Sequence, residues 1–355
     1  MNHNGKRIYT TRSREKMNME LGDHVKKAVS PVETAPKQKH VRAIIVYAYD
    51  FKTSKPFWGA LKLQPILADE IQCFKALITV HKLLVGGPVE VLKEARSELP
   101  FMEKCAQALG KTNLGHGYGP LIKSYVGYLR TKLAFHQQHP DFTGNFNYEE
   151  YISLRGVGNP DEGYQTVSDL FELAGKLEKF CRTILGSLGP ASSPNECRVS
   201  SLVPFVEESF GLYNFLTSML TALHLTVPNP EPLQPLVELY RKFFSRLTGF
   251  YDDCRKIIYL TSLINIPVLP DPAPSFDGEC LGDARSVDNQ NVSYYTQGYL
   301  EIEQVDPNDD DLIHNIVAPN SDLSKQVIEE ANSQLMQLGQ QLQEAIDKNI
   351  EYEAL

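Results

Sequence analysis

Lys27, Lys37, Lys39 and His40 place three ammonium groups and one imidazole around a single short, proline-interrupted stretch. Lysine is a mobile point charge with three donors and no acceptor, and histidine can donate from either ring nitrogen, so this set is suited to holding phosphate. Two phosphates packed on one ligand would favour the imidazolium form of His40, which predicts firmer binding in mild acid.

The elements that must position these groups can be read from the flanking residues. Met17, Leu21, Val25 and Ala28 recur at helical spacing, and that helix must stop before Ser30-Pro31 because proline lacks the amide hydrogen and restricts its predecessor. Lys26 and Lys27 then fall in its last turn, where the negative end of the helix dipole favours cations. Ser30 and Glu33 have capping-box spacing, Thr34 is a second N-cap candidate, and Pro36 suits a first helical turn. A second helix is therefore expected to open near residue 36, with Lys37, Lys39 and His40 in its first turn and its backbone amides adding donors for an anion. Spacing alone fits a solvated basic turn as well, so the context of the motif decides.

That context resembles the ANTH domain. The run KKAVSPVETAPKQKHVRAIIVYAYD (26–50) fills all four positions of the family's phosphoinositide motif, K-x9-K-x-(K/R)-(H/Y), with Lys27, Lys37, Lys39 and His40. ETAPKQKHVRAIIVY (33–47), LADEIQCFKALITVHKLL (67–84), FNYEEYISL (146–154), NPDEGYQTVSDL (159–170) and YLTSLINIPVLP (259–270) are similar in order and phase to the huntingtin-interacting and yeast Sla endocytic adaptors. The resemblance implies an all-α, ANTH-type superhelical α-solenoid that takes phosphatidylinositol 4,5-bisphosphate at the cytoplasmic face of the plasma membrane, in clathrin-coated pits and actin patches. It also implies the epsin ENTH domain and the clathrin coat as partners, and a link to actin through regions outside this chain. Lys26, Arg14, Lys16 and Arg42 are candidates for accessory contact with an anionic membrane surface.

Charge is spread unevenly. Residues 1–56 carry a net +7, leaving −16 on the rest of a chain whose total is −9. One basic end can dock on an anionic surface, each cation near acidic lipid contributing about 1 kcal/mol, whereas an acidic whole argues against broad nucleic-acid binding. No stretch of about 18 apolar residues is present and the N-terminus has no apolar core of a secretory signal, so membrane contact is expected to be peripheral. Six cysteines scattered without a C-x-x-C pair read as buried free thiols.

Four segments are expected: a basic stretch (1–20), the ANTH domain (21–270), an acidic linker (271–320) and a short C-terminal helix (321–355). The first, with Lys6, Arg7, Arg12, Arg14 and Lys16, reads either as a basic tail or as a helix that forms on lipid. Within the domain, further helices are expected near 71–85, 121–133, 164–188, 199–225 and 233–264, broken by Pro190, Pro194, Pro228, Pro230 and Pro232. The linker holds eleven acidic residues against Arg285 alone. Within it, Asp311-Leu312-Ile313 has the character of a clathrin or adaptor-binding motif. Ile328, Ala331, Leu335, Leu338, Leu342, Ala345, Asn349 and Tyr352 alternate at three and four, as in a coiled coil that would form a homodimer or an amphipathic helix that folds back.

Enzymatic motifs fail on spacing. Gly110-Lys111-Thr112 lacks the upstream glycine of a phosphate-binding loop, since Cys105 stands there. His136 and His139 have no third metal ligand at known spacing and read as histidines at an exposed helix end. No catalytic residue, cofactor or metal is expected. The rival readings are a lipid-independent helical scaffold for endocytic peptides and, less favoured, a nucleic-acid binder.

Overall fold

The computed structural model describes residues 11–110, 117–148, 152, 159–189 and 195–276, with side chains from Arg14 onward. The chain divides into two compact units, 1–295 and 296–355, and the second lies outside the described residues. So do residues 111–116, Cys280, Asp311-Leu312-Ile313 and the heptad segment.

The first unit is built of helices alone among the described residues: α1 (Thr11–Ala28), α2 (Gln38–Phe51), α3 (Lys55–Lys62), α4 (Glu70–Gly86), α5 (Glu90–Ser97), α6 (Leu99–Leu109), α7 (Gly119–Gln138), α8 (Pro160–Leu185), α9 (Glu196–Ser200), α10 (Leu202–Thr226), a 3-10 turn (Glu231–Leu233), α11 (Gln234–Arg255) and α12 (Ile258–Leu263). Each packs mainly on near neighbours in sequence, α1 on α2 and α3, α6 on α7, α7 on α8, α8 on α10 and α10 on α11. This is the layered helical solenoid that the apolar periodicity predicts.

Burial follows composition. α4 and α10 are buried on nearly every face, whereas α11 buries one stripe, Leu236, Val237, Tyr240, Phe243, Phe244 and Leu247. α4 also carries a strong start signal, because the Asp69 carboxylate accepts from the Gln72 amide at 2.7 Å. Gly211 on α10 has no room for a side chain: a Cβ there would sit 2.4 Å from the Phe146 carbonyl oxygen, and its absence lets that loop lie against the helix.

Several expectations are corrected. α1 is already helical from Thr11, so residues 11–20 belong to the domain's first helix. The helix expected over 233–264 breaks after Arg255, where Ile257 turns extended and a short restart delivers fully buried Leu260 to the core. The packed core also runs past 270, since Phe276 is buried against His224 and Tyr240. His136 is buried and stacks on Phe146 with ring centroids 5.1 Å apart. Five of the six cysteines are free and buried.

Candidate functional site

The end of α1 and the start of α2 meet around the turn at 29–37. The Val29 amide donates to the Val25 carbonyl at 3.1 Å, closing α1. Lys37 is extended just ahead of α2, with φ −60° and ψ 123°, and no side chain caps that helix. The capping box expected from Ser30 and Glu33, and the Thr34 cap, are therefore not made.

Those residues are claimed by the core beneath. Lys75 in the middle of α4 is buried, and its ammonium donates to Ser30 Oγ at 2.8 Å and the Val32 carbonyl at 3.1 Å. Gln72, one turn earlier, donates to the Val29 carbonyl at 3.0 Å. Glu33 accepts from the Tyr118 hydroxyl at 2.8 Å and from Arg198 at 3.0 Å, and the Arg198 guanidinium lies 4.2 Å from the Tyr118 ring centre. A buried ammonium must be hydrogen-bonded, so each of these contacts both satisfies a core group and fixes the turn.

On this support Lys27, Lys37 and Lys39 are exposed while His40 is buried. The His40 imidazole is pushed down to about 4, first by burial and then by His24, Lys39, Lys27 and Lys37. All three lysine charges thus act on one ring, and the fold brings the four motif residues together. Lys27 and Lys37 are tied to no carboxylate among the described residues. The imidazolium expected at His40 is not preformed, because three nearby cations and burial all disfavour it. His40 is neutral at physiological pH and the lysines carry the charge.

The accessory cations divide. Lys26 and Arg42 are exposed on the turns that adjoin the site. Arg14 lies thirteen residues before Lys27, about 20 Å along the helix, with its guanidinium 5.5 Å from the Phe51 ring centre. Lys16 is 3.9 Å from Glu20. Neither belongs to the cluster at the turn.

Sequence reasoning missed His24, Gln72, Lys75, Tyr118 and Arg198. Two of these had a signal. Lys75 is a lone cation among Ile71, Phe74, Leu77 and Ile78, and His24 precedes Lys27 by one helical turn. Tyr118 and Arg198 had none, since only tertiary folding brings them to Glu33.

A family profile described as the ANTH domain matches residues 20–278. Endocytosis protein end4 of Schizosaccharomyces pombe is 48% identical over 255 residues, 72% of this chain and 23% of that protein. Protein SLA2 of Saccharomyces cerevisiae is 43% identical over 264 residues, 73% of this chain and 27% of the relative. This chain therefore matches about a quarter of the length of these relatives. Among solved structures, the ENTH domain from epsin-2 in complex with phosphatidylinositol 4,5-bisphosphate gives a TM-score of 0.69 at 49% identity, covering 72% of this chain and 98% of that one. A cryo-EM structure of helical ANTH and ENTH tubules on membranes containing the same lipid gives 0.58 at 42% identity, with 72% and 96% covered. Fold, motif and matched length agree, and the chain belongs to the ANTH domain family.

Proposed function

We propose that this domain is a peripheral membrane adaptor of endocytosis, docking on phosphatidylinositol 4,5-bisphosphate through Lys27, Lys37, Lys39 and His40. The observation that carries this reading is the set of exposed lysines whose charges meet over one buried imidazole. Like charges held close repel one another, and a multiply charged anion relieves that repulsion while gaining about 1 kcal/mol per cation. Lys26 and Arg42 flank the head group, and Arg14 and Lys16 meet the surrounding anionic surface. Among the described residues no helix is long and apolar enough to cross a membrane.

The lipid complex and membrane tubules of the structural neighbours support the choice of ligand, and the endocytosis protein end4 supports the setting. Co-assembly with an epsin ENTH domain, recruitment to the clathrin coat and homodimer formation through 321–355 extend the same proposal, as does an actin link through regions outside this chain.

Co-sedimentation with vesicles tests it. Vesicles carrying the 4,5-bisphosphate should pellet the protein, and Lys27→Glu, Lys37→Glu, Lys39→Glu together should reduce pelleting by on the order of 100-fold in affinity, from about 1 kcal/mol per cation lost. Equal pelleting of both proteins would overturn the lipid site and favour the lipid-independent scaffold.

A further inference from the structure

The lysine turn rests on a pair of histidines, and only one belongs to the family motif. His24 of α1 faces His40 of α2 with Nδ1 2.9 Å from Nδ1 and ring centroids 5.2 Å apart. Two ring nitrogens at that distance must share one hydrogen, so one ring donates and the other accepts. If His40 donates, its remaining nitrogen is a bare lone pair, which repels a phosphate oxygen. If His24 donates, His40 becomes the Nε2–H tautomer and offers a donor to that oxygen. A phosphate ligand therefore selects the second arrangement, in which His24 Nε2 is left as the open proton acceptor.

From this geometry we infer that His24 and His40 act as one proton-accepting unit, and that a vicinal inositol bisphosphate bound over the lysines draws a single proton from solvent onto His24. This rests on the head-group site proposed above and assigns it a further residue. The added proton enters at His24 Nε2, leaving the Nδ1–H to His40 Nδ1 bond in place and now charge-assisted. A second proton would set N–H against N–H and break the contact, so uptake stops at one.

The surroundings place the charge on His24. Without ligand its imidazole is held down by burial and then Lys27, against the opposing pull of Glu20 and Asp23 on the same helix and with a further push from Lys39. The charges that act most on His40 besides its partner ring are cations: Lys39, Lys27 and Lys37. From α4, Lys75 also faces the turn, tied to Ser30 and Val32, and on α3 Lys62 is tied to Glu98 at 2.5 Å. A bound bisphosphate offsets the lysines, which removes the main charges that keep His24 neutral and leaves Glu20 and Asp23 to favour the imidazolium.

The test compares the unsubstituted protein with His24→Asn, which keeps a hydrogen-bonding group toward His40 but cannot hold a proton. Affinity is measured from pH 7.5 to pH 5.5 for soluble inositol 1,4,5-trisphosphate and for vesicles carrying phosphatidylinositol 4,5-bisphosphate. Phosphate groups titrate in the same range, so the difference between the two proteins is the readout. The unsubstituted protein should gain more affinity on acidification, the excess approaching tenfold per pH unit at the limit of one proton. The effect should appear with both ligands, since the pair senses the head group and not the bilayer.

Two-dimensional NMR of the imidazoles in the unsubstituted protein gives a second readout independent of any variant. Titrating inositol 1,4,5-trisphosphate at pH 6.5 should move His24 toward the imidazolium position and fix His40 as the Nε2–H tautomer. Parallel pH slopes in the two proteins, or a His24 ring that stays neutral when bound, would overturn this inference while leaving the lipid site standing. Failure of the unsubstituted protein to bind either ligand would overturn both.

Discussion

Two clusters of charge, one at the turn of α1 and α2 and one between α4, α7 and α10, follow opposite rules. In the second, Glu208 is fully buried, accepts from His81 Nε2 at 2.9 Å and from the Tyr128 hydroxyl, and pairs with the Lys132 ammonium at 2.5 Å. Lys132 also donates to the Gly144 carbonyl, and His81 Nδ1 is 3.0 Å from the Tyr125 hydroxyl. Burial pushes the Glu208 carboxyl up, but Lys132 and His81 outweigh it and hold it at about 2. Every strong charge there has its counter-charge inside the fold. At the turn the lysines share one sign and Lys27 and Lys37 have no carboxylate among the described residues, so the fold carries an electrostatic cost that a bound anion would offset. The paired cluster is structural and the one-signed cluster is the proposed binding site; the difference lies in where the compensating charge resides.

The sharpest way to break this contrast is to remove the compensating charge in the core. Glu208→Gln leaves Lys132 buried without an anion, which should cost about 3–5 kcal/mol in urea unfolding. Below its own melting transition the variant should still bind head groups, because no atom of the turn is altered. A loss of under about 1 kcal/mol would mean that the cluster is not held together by charge.

Lys75→Met probes the residue that shares both characters. It is buried like Lys132, yet its partners are Ser30 and Val32 of the basic turn. Losing those hydrogen bonds should cost about 1–3 kcal/mol in stability, and vesicle affinity should fall although no exposed lysine is touched. Unaltered affinity would show that α4 does not position the turn.

How much of this was legible in the sequence follows the same division. The exposed motif is local: helix end, proline and helix start all lie within fifteen residues, so chain grammar placed Lys27, Lys37, Lys39 and His40 together. The supports are not local. Lys75 is 45 residues from Ser30, and Arg198 is 165 from Glu33, so no spacing rule reaches them. Glu208 was hidden for a further reason. A carboxylate amid Phe205, Val206 and Leu212 reads as a break in the apolar face, and only its distant partners make burial tolerable. The break at Ile257 was equally opaque, since the residues around it keep a helical period while tertiary packing sends Leu260 inward.

Acid separates the clusters by the pH at which each yields. His40, held at about 4, and His136, held down to about 3 by burial and then Lys132, sit below the ordinary histidine value of 6.5. The unfolded chain therefore binds these protons first, and stability conferred by the neutral rings is present above pH 6.5 and lost as pH falls toward 4 and then 3. Glu208 follows, its contribution fading from about pH 4.5 toward 2. Denaturation midpoints across this range should fall in two stages, with His40→Asn making the upper stage shallower, His136 still contributing to it, and leaving the lower one. An upper stage unchanged by His40→Asn would show that His40 is not held neutral at the turn.

The smallest effect belongs to Arg14, which tests whether the site is a pocket or a diffuse field. Its guanidinium stands beside Phe51 at the far end of α1, well beyond a Debye length of roughly 8 Å from Lys27 in physiological salt. Arg14→Ala should leave affinity for soluble inositol 1,4,5-trisphosphate unmoved and weaken vesicle binding by about fivefold at most, from the roughly 1 kcal/mol that one cation gains near acidic lipid. That deficit should vanish when salt is raised, whereas the deficit of the lysine variants should persist in part because their contacts are made with the head group itself. An equal loss for both ligands would place Arg14 within reach of the phosphates, and the distinction between a pocket at the turn and an attractive surface along α1 would then fail.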